Sequence, residues 1–172
     1  GDSNPQPSET APAALGSGQS DQTIDFGYYR AVAIGDYVWQ DTNADGIQND
    51  GTTGINGVVV NLLNSSGGVI GTTATINNPV GGAPGYYQFP NLTPGSYRVR
   101  VDPVNFAAGG VLVGFTASPT LQGGNTASDS NPQPSGTTPA ALGSGQSDQT
   151  IDFGYYRAVA IGDYVWQDTN AD

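Results

Sequence analysis

A stretch of 45 residues occurs twice in this chain. Residues 1–45 return as residues 128–172, an offset of 127, and only Gly1/Ser128, Glu9/Gly136 and Ala11/Thr138 differ. Near-identity over that length marks a tandem array, of which the chain holds one full period and about a third of another. Residues 1–30 read as the C-terminal part of a preceding repeat, 31–157 as a complete repeat, and 158–172 as the start of the following one. A module of this size buries roughly two-thirds of its unfolded surface, enough for one core. The junction Arg30-Ala31-Val32-Ala33 has no Gly/Ser or Pro spacer, so successive modules are not beads on a flexible string. The same shortness predicts a nearly straight rod.

Within the period, apolar residues alternate in short runs separated by turn residues. Ile24, Phe26 and Tyr28 alternate within a predicted strand Thr23 to Tyr29, repeated as Thr150 to Tyr156. Further strands are predicted at Ile34–Trp39 (repeated as Ile161–Trp166), Val58–Leu63, Val69–Ile76, around Tyr87 and Phe89, at Ser96–Asp102, and at Val111–Thr116. Val58, Val60 and Leu62 are predicted to face the core, as are Tyr97, Val99 and Val101, with Arg98 and Arg100 outside. Asn64-Ser65-Ser66-Gly67-Gly68 reads as a hairpin turn. No helical period is present. The chain carries 26 Gly and 12 Pro, near the level at which disorder becomes the default, but strands spaced by about ten residues describe an all-β sandwich with long loops.

Composition narrows the function. The formal net charge is -11, from 15 acidic residues and four arginines (Arg30, Arg98, Arg100, Arg157). Such a surface repels phosphate backbones and anionic lipid, which argues against nucleic acid and membrane-surface partners, and it attracts divalent cations. No apolar run approaches the roughly 18 residues that span a bilayer. With no Cys and no His, there are no disulfides, no thiolate or imidazole metal sites, and no Ser-His or Cys-His nucleophile pair. The chain is read as non-enzymatic.

One loop has the chemistry of a hard-cation site. In Asp41-Thr42-Asn43-Ala44-Asp45-Gly46-Ile47-Gln48-Asn49-Asp50, oxygen-bearing side chains fall at alternate positions 41, 43 and 45, and Gly46 follows. This is the first half of a calcium-binding EF-hand loop: ligands at loop positions 1, 3 and 5, glycine at 6, a backbone carbonyl at 7. The carbonyl belongs to Ile47, and either Asn49 or Asp50 closes the far side. Position 12 is Thr52, not Glu, and strands flank the loop where an EF-hand has helices. A partial copy recurs at Asp168, Asn170 and Asp172.

Together these residues resemble the calcium-binding B-type repeat of serine–aspartate-repeat surface adhesins (the Sdr B-like domain), a relative of collagen-adhesin B domains. The resemblance is carried by Ile34-Gly35-Asp36-Tyr37-Val38-Trp39, Asp41 to Gly46, Gly54-Ile55-Asn56-Gly57-Val58, Gly85 to Phe89, Leu92 to Val99, Asp129-Ser130-Asn131 and Asp152-Phe153-Gly154-Tyr155-Tyr156. It implies an Ig-like β-sandwich, bound Ca2+ that rigidifies the module, and tandem copies forming stalks or fibres outside bacterial cells. It further implies a second cation site at Asp129 and Asn131, assisted by Asp36. The chain departs from the family pattern at Asn49, where Asp is usual, at Thr52, where Glu is usual, and at Asn131, where Asp is usual. Related domains carry a Lys–Asn isopeptide bond, which a chain without Lys cannot form.

The reading is thus a calcium-stiffened repeat of an extracellular fibre, stalk or matrix filament, at the cell surface or secreted, whose partners are neighbouring identical repeats or chains. The rival readings are an adhesin module that grips a host or cell-surface ligand, and an accessory domain of a secreted hydrolase.

Overall fold

A computed structural model describes residues 15–136, 141–163, 167 and 169. Among these, the strands are β1 (Val32–Gln40), β2 (Val59–Asn64), β3 (Val69–Ala74), β4 (Tyr86–Leu92), β5 (Tyr97–Val101), β6 (Thr116–Ala117), β7 (Ser135–Gly136), β8 (Ser147–Asp148) and β9 (Phe153–Tyr156). A single 3-10 turn, Pro103–Phe106, is capped by the Asp102 side chain. The strands form two sheets. One has the order β4-β1-β9-β6, with β8 also on β1; the other has the order β3-β2-β5-β7. The fold is an all-β, Ig-like sandwich.

The core lies between the sheets. Val32, Ile34 and Val38 of β1, Tyr87 and Phe89 of β4, and Phe153 and Tyr155 of β9 face Val60 and Leu62 of β2 and Tyr97, Val99 and Val101 of β5. Strand β5 shows why alternation is readable: Arg98 is exposed and Arg100 half-buried while Tyr97, Val99 and Val101 are buried. In β2 the alternation fails, because Asn61 and Leu63 are buried as well. Asn61 is satisfied there, donating to Asp102 and accepting from the Thr72 hydroxyl.

Two predicted strands fold otherwise. Val111 to Gly114 is a turn, and only Thr116–Ala117 is strand; Leu112 alone plugs the core while Val111 and Val113 stay exposed. Thr23 to Tyr29 is not a strand, although its duplicate provides β9. Ile161 to Asp163, which duplicates the middle of β1, is likewise not a strand, and Tyr164 to Trp166 lie outside the described residues.

The closing strand sets the polarity of the module. β9 runs parallel to β1, with Val38 opposite Phe153, Trp39 opposite Gly154 and Gln40 opposite Tyr155. The chain therefore enters at Val32 and leaves after Tyr156 beside the far end of β1. At roughly 3.3 Å per residue, nine residues separate these poles by about 30 Å.

Candidate metal centre

The loop after β1 folds back on its own carboxylates. Asp41 is buried; its Oδ2 accepts from the Gly46 amide at 2.8 Å and its Oδ1 from the Asp45 amide at 3.2 Å. Position 1 of the loop thus holds position 6, and the chain curls. Gly46 is required twice over: its φ is 76°, and a β-carbon there would stand 2.2 Å from the Pro119 carbonyl oxygen.

Asp45 is the point of convergence. Its Oδ2 accepts from Asn43 Nδ2 at 2.8 Å and Asn49 Nδ2 at 2.9 Å, and its Oδ1 from the Ile47 amide at 2.8 Å. The Asn49 hydrogen bond, followed by that of the Ile47 amide, holds the Asp45 carboxyl below the usual carboxylate range. Asn49, not Asp50, joins Asp45. Asp50 turns to Thr42, accepting from its amide at 3.1 Å and from its hydroxyl, while its Oδ2 is buried without a partner. The Ile47 carbonyl accepts from the Asn49 amide at 2.8 Å.

The segment from 118 to 130 clasps this loop. Ser130 donates to the Gly46 carbonyl, Gln48 donates to that of Ser128, and Asp129 forms a backbone bridge with Ile47. Asp129 therefore sits against the Asp41–Asp50 loop, and Asp41 itself donates its amide to the Tyr155 carbonyl at 2.9 Å. The loop lies at the pole where the chain leaves the sandwich, not at the Arg30–Ala33 junction that precedes it in sequence.

A second group of carboxylates gathers around Asp152. This residue has no exposed surface; its Oδ1 accepts from the Tyr37 amide at 3.1 Å and its Oδ2 has no partner. Burial, then the charges of Asp36, Asp129 and Asp148, push its carboxyl up to about 9. Asp36 is pushed up to about 7 by burial and then by Asp148. Asp129 is raised by burial alone, and its Oδ1 is also unpartnered. Asn131 is tied to Asp152 by a reciprocal pair: its amide donates to the Asp152 carbonyl at 2.7 Å, and its Oδ1 accepts from the Asp152 amide at 2.6 Å.

Of the residues picked out by sequence, the structure joins Asp41, Asn43, Asp45 and Asn49 in one network, and places Asp36, Asp129 and Asn131 around Asp152. Asp168, Asn170 and Asp172 lie outside the described residues. Asp148 and Asp152 are not among the ligands that the sequence suggests. Alternation through Ile151, Phe153 and Tyr155 puts Asp152 on a solvent face, but that face is covered, since Asp152 and Gly154 are buried too. The usable signal was Asp152 opening the motif Asp152-Phe153-Gly154-Tyr155-Tyr156.

The donor chemistry fits a hard cation: every side-chain donor is oxygen, and buried oxygens of Asp50, Asp129 and Asp152 are left without partners. Among the described residues, however, no three carboxylates already stand close enough together to cage an ion. The amides of Asn43 and Asn49 present nitrogen to Asp45 and must turn over to offer oxygen.

Known proteins are similar to this chain in sequence. The SdrD B-like domain model matches residues 32–155. Serine-aspartate repeat-containing protein F of Staphylococcus epidermidis is 41% identical over 154 residues, covering 88% of this chain and 8% of that protein. Serine-aspartate repeat-containing proteins E and D of Staphylococcus aureus are 37% and 36% identical, over 91% and 90% of this chain and 12% and 11% of their own lengths. The chain thus spans about a tenth of the curated relatives it matches. The family match covers nearly the whole sandwich, and on that ground the chain belongs to the SdrD B-like domain family.

Proposed function

We propose that this is a mechanical repeat: a module of an extracellular fibre or stalk that holds a fixed length and is stiffened by Ca2+. The observation that carries the reading is the Asp152 carboxylate, fully buried, one oxygen unpartnered, amid the like charges of Asp36, Asp129 and Asp148. Burying a carboxylate without a cation is costly, and a bound divalent ion supplies the missing charge and ligands. Asp36, Asp129, Asn131 and Asp152 would hold one ion. Asp41, Asn43, Asp45 and Asn49 would hold another, with Asp50 closing the loop through Thr42. Parallel β1 and β9 put the entry to the sandwich at Val32 and the exit after Tyr156 at opposite poles, as a module in a linear series requires. The role is load-bearing, not enzymatic, and the partners are neighbouring copies.

Melting the protein in calcium and in chelator tests this. A calcium-dependent rise in melting temperature is expected, since a ligand at a thousandfold its dissociation constant adds about 4 kcal/mol. Identical melting in both would leave the loops as ordinary turns.

A further inference from the structure

Arg30 and Arg157 occupy the same place in the repeat, and their surroundings are complementary. At Arg30 it is the backbone that is held: its amide donates to Ser144 Oγ at 2.7 Å, and its carbonyl accepts from the Gly145 amide at 3.0 Å. Its aliphatic stem lies against Gly145, where a β-carbon would stand 3.4 Å from both Cβ and Cδ of Arg30. The same zipper continues through Ala33, which donates to the Gln146 carbonyl, into the parallel pairing of Ala33 and Ile34 with Ser147 and Asp148. At Arg157 it is the side chain that is held: the guanidinium carbon lies 4.2 Å from the centre of the Phe115 ring, which packs against the core.

No atom is used in both sets of contacts. We propose that in the tandem series each junction arginine makes both at once. Its guanidinium stacks on Phe115 of the module it leaves, and its backbone is clamped by the 144–145 turn of the module it enters. This rests on the reading of the chain as modules in series, and it names the surface through which they meet. The linker then has no free residue. β9 ends at Tyr156, Arg157 follows, and the amide equivalent to that of Arg30 already belongs to the next sandwich. Tyr156 is paired with Thr116, which adjoins Phe115. The arginine therefore bridges the end of one sheet to the start of the next. An exposed cation–π contact is weak, too little to fold a module but enough to select one orientation between two bodies already joined by hydrogen bonds.

The test uses the full chain continued by its own residues 46–172, so that two complete sandwiches flank one junction. The sequence has no Cys, so Ser65→Cys and the same change in its copy, both in the exposed β2–β3 turn, give two unique spin-label sites. In calcium, the native junction is expected to show a narrow inter-label distance distribution. Arg157→Ala should broaden it at least twofold without shifting either module's melting temperature, and Arg157→Lys, which keeps the charge but loses the flat guanidinium, should fall between. Replacing the second module's copy of Ser144 by Ala should broaden it independently. A broad native distribution would sink the serial-rod reading itself. A narrow native distribution left unchanged by both substitutions would sink the arginine bridge and leave the rod standing.

Discussion

The amide of Tyr37 donates to Asp152 Oδ1 at 3.1 Å, and the other oxygen of that carboxylate is buried with no partner. One oxygen of the group is thus satisfied by the backbone of β1, and the charges of Asp36, Asp129 and Asp148 bear on the carboxylate. A proton or a cation on the unpartnered oxygen would offset the cost of burying the charge.

This gives a pH dependence with a definite sign. Asp36 and Asp152 are raised to about 7 and about 9, so the folded state binds their protons more tightly than the unfolded chain does. Their stabilisation is complete below the unfolded value near 4 and is lost as pH rises through 7 and 9. In chelator, the melting temperature should fall steadily from pH 5 to pH 9. In calcium the slope should flatten, because the ion replaces the protons. A chelator profile flat across that range would contradict it.

Replacing Asp152 with Asn removes the charge and keeps an acceptor for the Tyr37 amide. In chelator at pH 8 the variant should melt higher than the native protein, and its gain on adding calcium should be smaller. A lower melting temperature in chelator would mean that Asp152 is not electrostatically strained.

The loop residues separate by the same measurement. Asp45→Ala should remove the calcium increment of the loop, as should Asn49→Ala in part. Asp41→Ala should do so and also cost roughly 1–3 kcal/mol in chelator, because the Gly46 amide loses its acceptor while the Asp45 amide keeps only Asn43 Oδ1. Isothermal calorimetry on the three variants would read the lost site directly.

Gly46→Ala should be among the more damaging single-methyl changes. It places a β-carbon 2.2 Å from the Pro119 carbonyl oxygen at a φ of 76°, and backbone strain of that kind costs on the order of 1–3 kcal/mol before any clash. Urea unfolding would show it as a reduced midpoint with an unchanged slope.

Phe153→Ala and Phe26→Ala test position against sequence, since both sit in the heptapeptide Thr-Ile-Asp-Phe-Gly-Tyr-Tyr. Phe153 is 1% exposed and Phe26 47%. The first should cost about 3–5 kcal/mol and the second close to nothing, by denaturant unfolding of the full chain. Equal costs would show that residues 23–29 are packed as well.

Sequence alone determined the period of 127 residues, the all-β class, the inward face of β5 and the glycine-turned acidic loop, because each follows from local rules: spacing, alternation and the conformational freedom of glycine. It could not determine which copy of a repeated segment folds. Residues 150–156 supply β9 because β1 and β6 flank them and bury Ile151, Phe153 and Tyr155. Residues 23–29 have the same side chains, yet Ile24, Phe26 and Tyr28 remain exposed and outside any strand. Conversely, Val32 and Ile34 are core residues of β1, while their duplicates Val159 and Ile161 are almost fully exposed. Strand propensity is a preference for a pleated, half-buried setting, and only the tertiary structure provides the neighbours that make it one. Asp152 follows the same logic. Its burial comes from elements distant in the chain, the Asn131 segment 21 residues before it and β1 115 residues before it, and alternation within the strand could not reveal that a polar position would be sealed among like charges.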